Sequence, residues 1–158
     1  MNAGKLIGGG IVVIAVAAGL AMYWLQEYAF YTEVAFPKGN EIRLTLIEGG
    51  LAEPIVAEAV VGIDADSSPL RFRACFTTPM GLPMLSETYQ VYEGAEPLNA
   101  PSWFDCFDAA AIGEALEKGE ALAFLSEAAI APQVDRVVAV FPDGRAFAWH
   151  QISPDAAE

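Results

Sequence analysis

The sequence predicts one N-terminal transmembrane α-helix followed by a small α+β domain built on an antiparallel sheet. Three observations support this fold class. A run of 19 uncharged residues, 7–25, stands near the start of the chain. Segments that alternate polar and apolar residues, a pattern typical of half-buried strands, recur after it. Two apolar stretches near the end of the chain flank Pro142-Asp143-Gly144, which is the composition of a tight hairpin turn.

The apolar run predicts a membrane span. IGGGIVVIAVAAGLAMYWL reaches about 30 Å as a helix, the thickness of the hydrocarbon core of a bilayer. It lacks the polar face that a helix of a globular protein shows. We therefore divide the chain into a short cytoplasmic tail (1–6), the transmembrane helix (7–25), an aromatic exit segment (26–40) and an extracytoplasmic α+β domain (41–158). We expect the exit segment to continue the helix to residue 36 and to turn at 37–40. The predicted interfacial anchors are the aromatic residues Tyr23, Trp24, Tyr28 and Tyr31.

The charges that flank the span predict its orientation. Lys5 precedes it, whereas Glu27 and Glu33 are the first charged residues after it. Positive residues stay on the cytoplasmic side, so we expect a single-pass protein of the bacterial inner membrane whose C-terminal domain faces the periplasm. A cleaved signal peptide is the alternative, because Ala15-Val16-Ala17 is similar to a cleavage site. The length of the apolar run favours a permanent anchor.

Small residues recur at intervals of four within the span, at Ala15 and Gly19 and at Ala17 and Ala21. This spacing lets another helix approach closely, which is a main source of association energy in lipid. We predict that these residues contact other transmembrane helices of a membrane complex. The alternative is that they reflect only the ordinary abundance of Ala and Gly in membrane helices.

The part of the chain beyond the span is strongly acidic. Residues 26–158 carry seven basic and 21 acidic residues, a formal net charge of −14. This charge argues against nucleic acid as a partner, because phosphates would be repelled. It favours a basic partner through electrostatic steering, for example an electron carrier such as cytochrome c. Solubility alone is the competing explanation.

The two cysteines, Cys75 and Cys106, both follow the span. This arrangement predicts one disulfide in an oxidising compartment, although two buried free thiols or metal ligation would also be compatible with it.

The domain is predicted element by element from its periodicity. Residues 41–46 and 55–63 each predict a strand, and residues 70–76 predict a third whose Arg71 and Arg73 share an exposed face with ordinary ion pairs. We expect an irregular loop at 80–84 and a short element at 86–92. Asp108 predicts the N-cap of a helix over 109–118. Residues 121–125 predict a buried strand, and residues 136–141 and 145–152 form the closing hairpin.

No catalytic constellation is visible, so we predict a protein that is not an enzyme and carries no cofactor. His150 is the only histidine, and no nucleophile-elbow pattern is present. Asp64 and Asp66 lack the further ligands of a calcium loop and favour a turn. Met80, Met84 and His150, with Cys75, are weak candidates for a Cu(I) site. Packing is the preferred interpretation of those residues, so no metal is predicted.

Two segments, SSPLRFRACF and DRVVAVFPDGRAFAWHQ, resemble a bacterial family of uncharacterised short single-span membrane proteins with an acidic extracytoplasmic domain. The resemblance extends to GGGIVV in the span and YAFY at its exit. It implies the same topology, but it implies no activity and no site residues.

These features together predict a non-catalytic, membrane-anchored accessory or assembly subunit of a larger inner-membrane complex. A respiratory complex, either a terminal oxidase or a quinol–cytochrome c oxidoreductase, would use the small-residue helix, the aromatic exit and the acidic domain. A copper-handling assembly factor and a ligand-binding module are the alternatives.

Overall fold

The computed structural model describes residues 2–157. Met1, the first residue of the predicted cytoplasmic tail, and Glu158, the last residue of the predicted domain, lie outside the described residues. The chain divides into two compact units whose boundary falls between Tyr31 and Thr32. This boundary lies within the predicted exit segment.

The first unit is one long helix. α1 spans Ala3–Trp24, and a π-helical turn, Leu25–Ala29, continues it. Together they are long and apolar enough to cross a membrane, with a mean hydropathy of 2.2 over their most apolar window. None of the α1 residues is buried. The 22 residues of α1 alone extend for about 33 Å.

Helical geometry distributes the small residues of α1 over two faces. At about 100° per residue, Ala15 and Gly19 lie on one side of the helix, and Ala17 and Ala21 lie on roughly the opposite side. A Cβ atom added at Gly19 would meet no atom within 4 Å. Each pair therefore offers its own surface of close approach.

The second unit is organised around a six-stranded antiparallel sheet, which agrees with the predicted α+β class. In spatial order its strands are β1 (Thr32–Glu33), β4 (Glu58–Asp64), β5 (Arg73–Thr77), β8 (Arg145–Ile152), β7 (Val134–Val140) and β6 (Leu122–Ala131). A separate two-stranded hairpin pairs β2 (Arg43–Thr45) with β3 (Ala52–Pro54). The two α-helices of this unit are α2 (Leu82–Thr88) and α3 (Ala109–Glu117).

The central strands are buried on both faces. Successive side chains of a strand point to opposite faces, so Ala148 contributes to one core and Trp149 to the other. The β2–β3 hairpin and α2 cover the first core through Leu44 and Leu85. α3 covers the second core through Ile112. The sheet is therefore the middle layer of three.

The predicted α3 helix and the closing hairpin are confirmed in detail. The Asp108 side chain accepts a hydrogen bond from the Ala111 amide (3.0 Å), as an N-cap does. Gly144 has a φ of +89° in the hairpin turn, and a Cβ atom there would lie 2.8 Å from the Thr78 carbonyl oxygen. Glycine is therefore required at this turn.

Three local predictions were wrong. The predicted irregular loop at 80–84 contains the start of α2, because Pro83 occupies the first turn, where its missing N–H does no harm. The predicted strand at 55–63 begins three residues later, because β4 starts at Glu58. Its register shifts between Glu58 and Val61, where Ala59 has a φ of +51°. The exit segment does not continue as a helix to residue 36, because β1 pairs with β4.

Candidate functional site

The two cysteines are joined. Cys75 is buried on β5, and its disulfide to Cys106 agrees with the prediction from the cysteine count. Cys106 lies at the exposed end of an irregular segment, residues 93–107, which we call the 93–107 loop. The disulfide therefore fastens the far end of this loop to the central sheet.

Arg73 fastens the middle of the same loop. Its Nε donates to the Leu98 carbonyl oxygen (2.8 Å), and its Nη2 donates to that of Asn99 (3.0 Å). Its Nη1 donates to the carbonyl oxygens of Leu70 (2.7 Å) and Phe72 (2.6 Å). Backbone carbonyl groups thus satisfy the guanidinium inside the protein.

This arrangement corrects the expectation that Arg73 lies on an exposed face with ordinary ion pairs. The residue is only 3% exposed. β5 is an inner strand of the sheet, and the 93–107 loop covers the face on which Arg73 lies. The alternation of polar and apolar residues could not predict that Arg73 is buried, because every residue has a backbone carbonyl group and the sequence does not show which of them will accept a hydrogen bond.

Gln151 holds the beginning of the 93–107 loop. Its Nε2 donates to the Gly94 carbonyl oxygen (3.0 Å), and its Oε1 accepts from the Glu96 amide (2.8 Å). The same Oε1 accepts from the Trp149 indole N–H (3.0 Å). Because Gln151 is 95% buried, these bonds are shielded from water and fix the loop where it leaves β-structure.

His150 occupies a buried polar position on the other side of the sheet. Its Nδ1–H donates to the Pro69 carbonyl oxygen (2.7 Å), and its Nε2 accepts from Arg136 Nε (3.0 Å). The ring stacks on Phe72, with centroids 4.6 Å apart. Burial, and secondarily the charge of Arg136, lowers the pKa of His150 from 6.5 to about 4. A neutral ring with both nitrogens engaged follows from these contacts.

The pKa of His150 predicts that the protein loses stability in mild acid. The folded-state pKa is depressed, so the stabilisation is complete above the unfolded-state value near 6.5 and decreases as the pH falls toward 4. We expect the free energy of unfolding to fall by about 1.4 kcal/mol between neutral pH and about pH 5.5. Urea titrations at several pH values measure this change.

The control for that experiment is His150→Gln. Because the chain has a single histidine, the decrease above about pH 5.5 should disappear in this variant. A wild-type stability that stays constant over the same interval would contradict the assignment of a neutral buried ring.

The weak copper candidates do not form a site. Met84 is exposed on α2, and Met80 packs against the first core. β5 and β8 pair with Thr77 opposite Arg145 at one end and Arg73 opposite Trp149 at the other, so Met80 and His150 lie beyond opposite ends of this pairing. Cys75 is occupied by its disulfide. Within residues 2–157, no group of three or more His, Cys, Asp or Glu side chains is placed to hold a metal ion.

A groove of about 750 Å³ lies between α3 and residues 91–97. We call it the acidic groove, because Glu96 stands on one wall and Glu114 and Glu117 stand on the other. All of these carboxylates are exposed. Its floor comes from the start of β6 and includes Leu122. In the described part of the chain, no Lys or Arg lines this groove.

Tyr92 fixes the inner end of the groove. Its amide donates to the Ala123 carbonyl oxygen (2.8 Å), and its hydroxyl donates to Asp135 Oδ2 (2.9 Å). Asp135 also accepts from the Ala129 amide (2.9 Å), which stabilises Ala129 at its positive φ of 51°. Burial, followed by the bond to Asp135, raises the pKa of Tyr92. The hydroxyl is therefore a donor at neutral pH.

The lining of the acidic groove offers acceptors for cationic groups. Its described residues supply carboxylates, a tyrosine and apolar or small side chains, but no histidine, cysteine or serine. Sequence reasoning did not find this site, because it joins segments around positions 94, 113 and 122. Its only sequence signal is the overall excess of acidic residues.

A model of a family described as a family of unknown function, DUF6446, matches residues 42–157, which is most of the second unit. Neither the curated proteins nor the solved structures contain a match.

Proposed function

We propose that this chain, which belongs to the family of unknown function DUF6446, is a non-catalytic, membrane-anchored accessory or assembly subunit of a larger inner-membrane complex. One observation carries the proposal. Beyond Lys5, α1 is apolar around its whole circumference, and none of its residues is buried. So large an apolar surface needs lipid and neighbouring membrane helices as its cover.

The proposed topology places the second unit in the periplasm. Lys5 precedes the helix and acidic residues follow it, which favours a cytoplasmic N-terminus. The Cys75–Cys106 disulfide is compatible with an oxidising compartment. The aromatic residues Tyr23 and Trp24, both exposed on the last turn of α1, are suited to the headgroup level.

The partner we infer is a respiratory complex, either a terminal oxidase or a quinol–cytochrome c oxidoreductase. The net charge of −14 beyond the span would steer a basic electron carrier such as cytochrome c toward the complex. The small-residue faces of α1 would meet helices of the complex. This use of both features favours an accessory role within an assembly over a free-standing ligand-binding module.

The proposal predicts that a tagged chain, purified from membranes in mild detergent, brings down membrane subunits in stoichiometric amounts. Two double variants test the helix contacts, Ala15→Leu with Gly19→Leu and Ala17→Leu with Ala21→Leu. We expect at least one pair to reduce recovery of the partner about tenfold, because the larger side chains prevent close helix approach. Quantitative mass spectrometry of the purified material measures the recovery.

Recovery of the wild-type chain alone would contradict an accessory role. Recovery of the partner at the wild-type level with both double variants would exclude the small-residue faces as the contact. The topology is tested with a reporter that is active only in the cytosol, fused to the C-terminus. Activity of this reporter would contradict the proposed topology.

A further inference from the structure

We propose that the acidic groove binds a short segment of a partner protein in which Lys or Arg alternates with apolar residues. This inference deepens the proposed function and rests on it, since the partner is a subunit or carrier of the same complex.

The groove is held in shape before any partner arrives. Gln151 fixes one wall at Gly94 and Glu96, and the Asp135 carboxylate fixes Tyr92 at the inner end. The opposite wall is α3, a regular helix. Because both walls are fastened, little conformational entropy has to be lost in the groove on binding.

The floor of the groove is apolar and open. Val91 is 50% exposed at one end, and Leu116 and Leu122 are half-buried along it. Gly113 on α3 faces Pro97 of the opposite wall, since an added Cβ atom would lie 3.9 Å from the Pro97 ring. A bound segment can place its apolar side chains against Val91 and Leu122, which remain accessible.

The carboxylates determine which segment fits. Glu96 faces the groove from one wall, and Glu114 and Glu117 face it from the other, so cationic side chains would find acceptors on both sides. Glu114 also forms an ion pair with Lys118 at 2.5 Å, on the exposed surface of α3. A neighbouring cavity of about 300 Å³ is lined by Lys118 and Arg145 together with acidic residues. The purely acidic lining is thus a property of this groove and not of every cavity in the unit.

The test uses the full chain in phosphatidylcholine nanodiscs and a fluorescein-labelled hexapeptide of alternating Lys and Ala. The groove variant is Glu96→Gln, Glu114→Gln, Glu117→Gln. The matched control removes the same number of exposed carboxylates elsewhere, with Glu48→Gln, Glu58→Gln, Glu87→Gln. Gly113→Leu fills the groove without changing its charge. Circular dichroism verifies that each variant is folded, and empty nanodiscs give the background.

We expect fluorescence anisotropy at low ionic strength to show that the wild-type chain binds the peptide. The groove variant and Gly113→Leu should each weaken the affinity about tenfold, whereas the control variant should change it less than about twofold. Equal weakening by the control variant would reduce the effect to general surface charge and overturn the inference. Absence of binding to the wild-type chain, or displacement of the peptide by an equal concentration of spermidine, would also overturn it. Co-purification of the complex with the groove variant at wild-type yield would reject the groove as the contact while leaving the proposed function intact.

Discussion

Replacing Arg73 by methionine is expected to lower the free energy of unfolding by about 3–5 kcal/mol. The side chain is 97% buried and donates hydrogen bonds to the carbonyl oxygens of Leu70, Phe72, Leu98 and Asn99. Methionine keeps much of the apolar stem but leaves these four carbonyl oxygens without their donor. Each unsatisfied group then contributes a desolvation penalty.

Arg145→Met is the matched control. Arg145 is exposed and pairs with Asp143 at 2.7 Å, so its loss should change stability by less than about 1 kcal/mol. Chemical denaturation of both variants in detergent, followed by tryptophan fluorescence, gives the comparison. If Arg73→Met lowers the free energy of unfolding no more than Arg145→Met does, the 93–107 loop is held by other contacts.

Removing the disulfide, with Cys75→Ala and Cys106→Ala together, should lower the free energy of unfolding by about 3–4 kcal/mol. The two cysteines are separated by 31 positions, and the cross-link removes the entropy of that loop from the unfolded chain. Wild-type protein whose disulfide is reduced while the chain stays folded should show the same decrease in the free energy of unfolding.

The order in which segments become sensitive to protease is the control for the disulfide experiment. Reduction of the folded protein should increase proteolytic cleavage near Cys106 before the rest of the unit becomes sensitive. Arg73 still holds the middle of the 93–107 loop and Gln151 its beginning. Uniform sensitivity across the unit would contradict the separate fastening of this loop.

Local chemistry explains which parts of the fold could be predicted. The N-cap at Asp108 and the turn at Gly144 are fixed by short-range bonds, and both were predicted from the residues themselves. α2 was missed, because the prolines around it suggested a loop although Pro83 stands where a helix tolerates it. Sequence alone could not distinguish these two contexts of proline.

The candidate site could not be predicted for a different reason. The role of Arg73 depends on carbonyl groups 25 and 26 positions away, and the groove depends on the pairing of distant segments. The disulfide was the exception, since two cysteines in the same domain admit a single pairing. No sequence pattern marks a contact between a side chain and a distant backbone group, so only the structure reveals such contacts.

The two small-residue faces of α1 bear on the stoichiometry of the proposed assembly. A helix with room for a neighbour on either side is suited to an interior position, wedged between two other helices, rather than to the periphery of a bundle. In such a place within the proposed assembly it would act as a spacer, with one copy in each gap. Deleting it would then remove the contacts that join the flanking helices, and we would expect those subunits to separate from each other.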